Sequence, residues 1–460
     1  MYYENKCAKD VKIGYIGGGS RGWAWGFMSD LVSAPDMSGT VCLYDIDKTA
    51  AGKNRIIGEQ YNQAEDAKSV WHYTVADTLE EALNGADFVV VSILPGTFDE
   101  MESDVHTPEK YGIYQSVGDT TGPGGIIRAL RTIPMFEVIA KAVEKCCPNA
   151  WVINYTNPMT LCVKTLYRTF PQIKAFGCCH EVFGTQRLLS IALNDYCNTD
   201  VYTRDDIRTN VVGVNHFTWI TDASCNNHDV FDVYDRFCDK YAETGYSTKK
   251  NWANKAFMEY QLVKMDLFKR FGYIAAAGDR HLAEFCPSSW YLKDPQTVDK
   301  WKYSLTSVEW RRQNLKERLG KSEAMLSGEM PITIKRTGED GVNQMRALLG
   351  LENMITNVNI PNQGQIPNLP LGAVVETNAT FRANEVSPVY AGNIPTELYS
   401  LISRIVGIQE TVSDAGYNRD LDKAFLAFIE DPQMNISVKD AKTLFDEMVA
   451  NTAKYLREYL

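Results

Sequence analysis

The chain has 460 residues, of which 45% are hydrophobic, so it can bury a large core in two or three domains, or in two interleaved ones. Its 58 acidic residues exceed its 47 basic ones, and this balance excludes the broad basic surface that nucleic-acid binding requires. No apolar run predicts a membrane-spanning helix, and the first residues lack a secretory signal. Eleven scattered cysteines indicate reduced thiols, which favours a cytoplasmic location.

The N-terminal segment has the pattern of a dinucleotide-binding turn. A short apolar strand over residues 11–16 precedes Gly17, Gly19 and Gly22 at GxGxxG spacing. A predicted helix and a second strand ending at Asp45 follow. Such glycines let the backbone approach a pyrophosphate, and the acidic residue accepts from a ribose hydroxyl. An acid at this point favours NAD over NADP, although Asp47 leaves the choice of carboxylate open.

Apolar strands and helices then alternate along the first 180 residues. Strands are predicted in ADFVVVSILPG, AWVINYTNP and IKAFGCC, and a helix is predicted over residues 131–146. This alternation predicts a doubly wound parallel sheet with helices on both faces, which is an α/β fold of Rossmann type. Ligands of such sheets bind beyond the carboxyl ends of the strands, and the polar clusters of this chain fall there.

Two of these clusters precede residue 160. The stretch from Gly118 to Gly125 is followed by Arg128 and Arg131, and it is either a surface loop or a glycine-rich turn that binds an anion at a helix start. The Asn154–Pro158 stretch is typical of a turn, and its two amides are also suited to sugar hydroxyls or a nicotinamide.

Cys179 and His216 each follow an apolar run and are separated by 37 positions. A thiolate and an imidazole are good ligands for a divalent transition metal, but the spacing is not that of a zinc finger. A buried cysteine or histidine that only packs in the core is the alternative. Asp279, Arg280, His281 and Glu284 form a further cluster, whose alternative interpretation is a salt-bridged helix start with Asp279 as N-cap.

Seven motifs in chain order resemble glycoside hydrolase family 4, the NAD- and manganese-dependent glycosidases. They are GGGS at Gly17, TGPGGIIRALRTIP from Thr121, NYTNPM from Asn154, CCHEVFGT from Cys178, VGVNHFTW from Val212, GDRHLAEF from Gly278 and IPNQGQIPNLPLGAVVE from Ile360. The Cys179–Val182 stretch is similar to the signature of the branch that includes α-galacturonidases. The resemblance implies an NAD-binding Rossmann domain over residues 1–200 and a mixed, helix-rich α/β domain over residues 201–460 that completes the site and mediates oligomerisation.

The motifs and the resemblance together give the candidate site. The predicted metal ligands are Cys179 and His216. The predicted NAD-binding residues are Gly17, Gly19, Ser20, Asp45 and Asn154. The predicted substrate-binding residues are Asn157, Asp119, Arg280 and Arg128. The candidate catalytic residues are His180, as the acid or as a group that polarises the sugar oxygens, and Tyr273, His281 and Asp279, among which the base stays open.

Family 4 is an exception to hydrolysis by two carboxylates. The resemblance implies that NAD takes hydride from C3 of the sugar, that a base then removes the acidified C2 proton, and that Mn²⁺ or another divalent metal stabilises the enediolate. Elimination at C1, addition of water and return of the hydride complete net hydrolysis.

The predicted substrate is a small oligosaccharide with a terminal α-linked uronic acid, most specifically galacturonic acid, whose carboxylate a guanidinium such as Arg280 can bind. Alternatives within the family are α-galactosidase, α-glucosidase and α-glucuronidase. A lactate- or malate-type NAD-dependent dehydrogenase, distinguishable by manganese dependence, and a non-enzymatic NAD-binding regulator are alternatives outside it. We expect a homo-oligomer, a dimer or tetramer, with neither nucleic acid nor membrane as a partner.

Overall fold

The computed structural model describes residues 1–247 and 255–460. The strands are β1 (Tyr2–Glu4), β2 (Cys7–Ile16), β3 (Met37–Tyr44), β4 (Trp71–Val75), β5 (Phe88–Val91), β6 (Trp151–Asn154), β7 (Lys174–Gly177), β8 (Ile207–Val214), β9 (Phe217–Cys225), β10 (His228–Asp229), β11 (Ile274–Ala275), β12 (Met354–Pro361), β13 (Val374–Arg382) and β14 (Glu385–Pro388).

The helices are α1 (Trp23–Ser33), α2 (Lys48–Tyr61), α3 (Leu79–Leu83), α4 (Phe98–His106), α5 (Gly122–Cys146), α6 (Met159–Thr169), α7 (Glu181–Cys197), α8 (Phe231–Lys240), α9 (Leu262–Phe271), α10 (Asp279–Phe285), α11 (Ser288–Tyr291), α12 (Pro295–Lys300), α13 (Val308–Ser327), α14 (Gly341–Leu348), α15 (Thr396–Asn418), α16 (Leu421–Glu430) and α17 (Val438–Asn451). Short 3-10 helices lie at Pro108–Tyr111, Arg204–Asp206, Lys255–Phe257 and Ala453–Tyr455.

The strands that the N-terminal half contributes to the central sheet, from β2 to β7, are parallel, as predicted. Its order is β14-β13-β12-β7-β6-β5-β2-β3-β4, with β1 added antiparallel to β2. The pairs β4-β3, β3-β2, β2-β5, β5-β6 and β6-β7 are all parallel, and helices connect them. The sequence therefore predicted the Rossmann part of the fold correctly.

Both faces of this sheet are covered by apolar side chains. In β5, Phe88 and Val90 belong to one core cluster, and Val89 and Val91 belong to the cluster on the opposite face. Because successive side chains of a strand point to opposite faces, an all-apolar strand fits a sheet that is buried on both sides. This is why the strands read as continuous apolar runs in the sequence.

The C-terminal half returns to the same sheet. Strand β12 pairs antiparallel with β7 through Asn359 and Gly177, and β13 and β14 extend the sheet from there. Residues 354–388 therefore belong structurally with the N-terminal half, and the two halves of the chain are interleaved. The predicted division at residue 200 remains a prediction about units of folding or function.

A second, smaller sheet has the order β10-β9-β11, with β8 also paired to β9. Its β8–β9 hairpin and the helices α15, α16 and α17 pack with α5 in one large apolar cluster, which includes Trp219, Phe285, Ile402 and Phe445. Helix α5 thus contributes to the core of both halves. All eleven cysteines are free thiols. In the described parts of the chain, we find no helix with the length and apolar character needed to cross a membrane.

Candidate active site

The glycine-rich turn lies between β2 and α1. Gly17 has a φ of 90°, and a Cβ there would collide with the carbonyl of Ser92, so glycine is required. The amide of Gly19 donates to Asp45 Oδ2 at 2.8 Å, and the Ser20 amide donates to the Gly17 carbonyl at 3.0 Å. The turn, the N-terminus of α1 and Asp45 have the arrangement that dinucleotide sites of this fold use.

The predicted polar clusters meet at the carboxyl edge of the sheet. Cys179 follows β7 and precedes α7, and it is buried. His216 lies in the turn between β8 and β9 and is also buried. Asn157 follows β6, and the Asn157–Pro158 and Asn215–His216 peptide bonds are both cis.

The protonated nitrogen of His216 is set by two neighbours. Thr120 donates its hydroxyl proton to Asp119 Oδ1 at 2.7 Å, and its oxygen lies 3.2 Å from His216 Nδ1. Since a hydroxyl has one proton, the Thr120 oxygen accepts from Nδ1–H, and Nε2 keeps its lone pair. Burial, with the nearby charge of His281, lowers the pKa of His216 to about 3, so the imidazole is neutral at physiological pH and fit to ligate a metal.

The thiol of Cys179 has a pKa held well above its ordinary value, first by burial and then by the charges of Glu376 and Glu181. The Asn215 side chain favours the thiolate. It also donates to Glu376 Oε2 at 3.0 Å. Among the described residues, no three His, Cys, Asp or Glu side chains group closely enough to hold a metal by themselves. Cys179 and His216 thus have suitable donor atoms, and a metal there needs further ligands from substrate or water.

Glu181, the first residue of α7, stands among three histidines. Its Oε1 lies 3.7 Å from His180 Nε2 and 3.8 Å from His281 Nε2, and its Oε2 accepts from the Gly278 amide at 2.7 Å. Burial raises the pKa of Glu181, but the charges of His281, His180 and His216 outweigh it and bring the pKa to about 2. Glu181 is therefore ionised across the physiological range.

The two flanking histidines of this group differ in setting. His180 is 53% exposed and its Nδ1 lies 3.0 Å from Glu339 Oε1, with the Trp23 ring 6.2 Å away. His281 stacks on His216 with ring centroids 4.1 Å apart. Its Nδ1 is buried and has no hydrogen-bond partner among the described residues.

Asp119, Asn157 and Arg128 form a hydrogen-bonded group beside the histidines. Asn157 Nδ2 donates to Asp119 Oδ2 at 3.3 Å, and Arg128 Nε donates to the Asn157 carbonyl at 3.1 Å. Burial raises the pKa of Asp119, yet the charges of Arg128, His216 and His281 hold it below the ordinary value. Asn157 Oδ1 is buried and unpartnered within the described chain, so it is available to a ligand hydroxyl.

The structure differs from the alternative interpretation of Asp279 and Arg280 as a salt-bridged helix start with Asp279 as N-cap. The N-cap of α10 is Gly278, and Asp279 Oδ1 accepts from the Lys264 amide at 3.0 Å. Arg280 pairs with no carboxylate in the described residues: its Nε donates to the Ser304 carbonyl at 2.9 Å, and its Nη2 donates to the Ser116 carbonyl at 2.6 Å.

Three further predicted residues lie outside this group. Arg131 forms a fully buried ion pair with Asp104 and does not reach the histidines. Tyr273 packs against the C-terminal core. Asn154 is buried, and its amide group bonds the backbone of Thr156, so its contacts favour a role in shaping the turn before Asn157.

The chain matches two sequence models in succession. The model of the family 4 glycosyl hydrolases matches residues 12–195, and that of the family 4 glycosyl hydrolase C-terminal domain matches residues 211–434. The chain belongs to glycosyl hydrolase family 4. It is therefore a glycosidase.

Individual family 4 proteins resemble the chain along nearly its whole length. An alpha-galacturonidase from Thermoanaerobacterium saccharolyticum is 58% identical over 458 residues, which cover 99% of this chain and 98% of that protein. The crystal structure of lplD from Bacillus subtilis, described as a glucosidase, has a TM-score of 0.91 at 49% identity, covering 96% of this chain and 100% of that one.

A more distant family 4 structure shares the fold alone. The 6-phospho-beta glucosidase from Thermotoga maritima, solved with manganese, NAD⁺ and glucose-6-phosphate, has a TM-score of 0.76 at 21% identity, covering 97% of this chain and 99% of that one.

The fold of this family 4 chain positions near the candidate site several residues that the sequence analysis did not predict as site residues. Glu181 lies inside a family motif and Thr120 inside the Gly118–Gly125 stretch, but only their contacts with the histidines indicate a role. Glu376 lies about 160 residues along the chain from Asn215, which donates to it. Burial raises the pKa of Glu376 to about 7, and its charge acts on the thiol of Cys179. Arg311 comes from the polar helix α13, whose sequence has no signal of a site.

Proposed function

We propose that the chain is an α-galacturonidase that uses NAD and a divalent metal, Mn²⁺ foremost. One observation carries this: Cys179, His216 and His281, which come from separate motifs, are brought together around Glu181, and Asp119 lies close to the two histidines. The alpha-galacturonidase relative at 58% identity supports the choice of sugar, and the Thermotoga maritima enzyme with NAD⁺ and manganese supports the cofactors.

The residues present fit both groups. Gly17, Gly19 and Asp45 would hold the dinucleotide, and Cys179 with neutral His216 would hold the metal. When bound, NAD supplies a hydride acceptor and donor for C3 of the sugar, and the metal supplies a Lewis acid for the oxygens at C2 and C3.

We assign the removal of the C2 proton to His281. Its Nε2 faces the ionised Glu181 carboxylate, and its buried Nδ1 has no partner in the described chain, so Nδ1 is the nitrogen able to accept a proton. Stacking on His216 fixes the plane of the ring next to the predicted metal ligand. Tyr273 and Asp279 are less favoured, since the first packs in the core and the second accepts from the Lys264 amide.

His180 is the proposed acid for the leaving oxygen at C1. It is half exposed at the edge of the group, where a leaving sugar can depart, and Glu181 and Glu339 lie beside its two ring nitrogens. Asn157 Oδ1 is the proposed acceptor for a sugar hydroxyl, and Asp119 holds the Asn157 side chain in place.

A substrate panel tests the proposal. Purified protein with NAD, Mn²⁺ and a thiol reductant is assayed on the p-nitrophenyl α-glycosides of galacturonic acid, galactose, glucose and glucuronic acid. We expect the highest kcat/KM on the galacturonide and loss of activity after exhaustive chelation. A preference for a neutral sugar, or full activity in chelated enzyme, contradicts the proposal.

The route is tested by isotope exchange. Product formed in heavy water should carry deuterium at C2, and a substrate deuterated at C2 should turn over more slowly. A hydrolase with two carboxylates gives neither result. A simple dehydrogenase would accumulate NADH with turnover, whereas this route returns the hydride and consumes no NAD.

A further inference from the structure

Besides Arg128, which donates to the Asn157 carbonyl and whose charged form Asp119 favours, two buried or part-buried arginines near the site have no carboxylate within ion-pair distance among the described residues. Arg280 is 7% exposed, and its Nε and Nη2 donate only to the carbonyls of Ser304 and Ser116 and the hydroxyl of Thr306. Its third guanidinium nitrogen, Nη1, has no hydrogen bond within the described chain. All hydrogen bonds of the Arg280 guanidinium within the described chain therefore go to neutral groups.

The second arginine is Arg311, in the first turns of α13. It is part-buried, and its Nε is shielded from solvent without a hydrogen-bond partner in the residues described. The guanidinium carbons of Arg311 and Arg280 lie 5.5 and 4.8 Å from the centre of the same Phe257 ring. One aromatic ring thus contacts two like charges.

The two guanidinium groups are close enough for the charge of Arg280 to disfavour that of Arg311, and burial has removed part of the hydration of both. Buried charges in proteins are normally paired, because removing an unpaired charge from water is energetically costly. Burial lowers the pKa of both arginines, and the charges of Glu259, Glu284 and Glu181 favour the charged form of Arg280 from beyond ion-pair distance. Asp119 favours the charged form of both, but its two oxygens accept from Thr120 and Asn157. The pair therefore has donors left over for an anion.

The location relates this pair to the sugar. Arg280 directly precedes His281 in α10, and the His281 ring stacks on that of His216. The charge of Asp119 acts on Arg311 and on His216 alike. An anion held by the arginines would therefore belong to a molecule whose ring lies at the histidines. Arg131 is no competitor for this role, since it is fully paired with Asp104. Arg128 is matched by Asp119, whose charge favours its charged form, and its Nε donates to the Asn157 carbonyl.

We propose that Arg311, together with Nη1 of Arg280, binds the carboxylate of the uronic acid, and that Arg311 discriminates this sugar from its neutral counterpart. The inference rests on the proposed function and specifies how its substrate is recognised. A carboxylate and a guanidinium form two parallel hydrogen bonds, which neutralise the charge and fix the orientation of C5. A galactoside offers no charge there, so binding it leaves the arginines unpaired.

The test compares Arg311→Gln with wild type on p-nitrophenyl α-galacturonide and α-galactoside. We expect kcat/KM on the galacturonide to fall about 10- to 100-fold, mainly through KM, because a charged hydrogen bond is lost. Activity on the galactoside should stay level or rise. The matched control is Arg312→Gln: Arg312 pairs with Asp99 and Glu102 of α4, so both activities should be unchanged.

Free galacturonate and galactose provide a readout that is independent of turnover. Calorimetry should show galacturonate binding to wild type and about 10- to 100-fold weaker binding to Arg311→Gln, with NAD affinity unchanged in both. If the variant is unstable, Arg311→Lys serves instead, since it keeps the charge but loses the bidentate geometry and should show an intermediate loss.

Two failures are distinguishable. If wild type cleaves the galacturonide and Arg311→Gln cleaves and binds it equally well, or loses both sugars equally, the assignment of Arg311 is wrong and the proposed function stands. If wild type prefers the galactoside, the proposed function fails, and the carboxylate site fails with it.

Discussion

At the scale of single residues, the hydroxyl of Thr120 decides which nitrogen of His216 carries the proton. Replacing it by valine keeps the shape but removes the acceptor for Nδ1–H, so both tautomers of His216 become possible. We expect Thr120→Val to weaken Mn²⁺ binding about 10- to 100-fold, the size typical for groups that orient a metal ligand. Calorimetric titration with Mn²⁺ in the presence of NAD measures this.

Thr132→Val is the matched control for this change. Thr132 is equally buried, but its hydroxyl donates to the Arg128 carbonyl of its own helix. Its replacement should leave Mn²⁺ affinity unchanged. Equal affinity in Thr120→Val and wild type would remove Thr120 from the metal site.

Glu284 should make the protein less stable in alkali. It is fully buried, and burial raises its pKa to about 8 although the amides of Val117 and Gly118 donate to Oε1. A carboxyl whose pKa is raised in the folded state stabilises the fold fully below its unfolded pKa, and this contribution is lost as pH rises through about 8. The loss amounts to about 1.4 kcal/mol per pH unit between the two pKa values.

Glu284→Gln tests this pH dependence. Urea denaturation at several values between pH 5 and pH 9 should show that the free energy of unfolding of the variant rises relative to that of wild type as pH rises. The exposed Glu65→Gln should show no such trend. A stability difference between Glu284→Gln and wild type that stays constant with pH would contradict the ionisation behaviour.

How far the sequence predicts these residues depends on how each one acts. Cys179, His216 and Asn157 stand at strand ends, and local pattern is enough to single them out. His180 is the chain neighbour of Glu181, but His216 and His281 reach Glu181 from the β8–β9 turn and from α10, so no local pattern indicates these contacts. In the sequence, Arg311 is one of many charged residues of a polar helix, and only its position against the Phe257 ring in the structure distinguishes it.

At the scale of elements, helix α5 depends on a buried ion pair with α4. Arg131 Nη1 donates to Asp104 Oδ1 at 3.0 Å, and neither side chain reaches solvent. Arg131→Met leaves Asp104 as an uncompensated buried charge, which should lower the free energy of unfolding by about 3–5 kcal/mol. Urea denaturation measures this, and the double change Arg131→Met with Asp104→Leu should recover most of the loss. A single variant as stable as wild type would contradict the importance of the pair.

The start of α5 and the last three sheet strands show where element prediction ends. The helix was expected from residue 131, yet it begins at Gly122, because glycines and a proline suit a first turn but carry no helical periodicity. Strands β12 to β14 complete a sheet begun hundreds of residues earlier. Tertiary contacts set the pairing of β12 with β7. The sequence therefore indicated the family motif from Ile360 but not the position of these strands in the sheet.

At the scale of the whole molecule, the interleaved chain should unfold as one unit. Strand β7 has β12 as its outer neighbour, and the apolar cluster on one face of the central sheet includes Val358 and Phe381 from the C-terminal half. We expect the full chain to melt in a single transition. We expect a fragment of residues 1–200, which lacks this cover, to aggregate or to melt without cooperativity.

Circular dichroism melting and sedimentation of both proteins check this expectation. A fragment that melts cooperatively and binds NAD would show instead that residues 1–200 are an independent domain. The predicted homo-oligomer also belongs to this scale and is tested by light scattering of the full chain.

The return of β12 to β7 also orders events during synthesis. When Gly177 leaves the ribosome, roughly 200 further residues must follow before Pro388 completes the sheet, which takes roughly 10–40 s at about 5–20 residues per second. During that interval the nascent chain carries an open β edge and an uncovered apolar face. We therefore expect the yield of soluble protein to depend on translation speed and on chaperones that shield nascent chains, even though the finished protein has that edge covered.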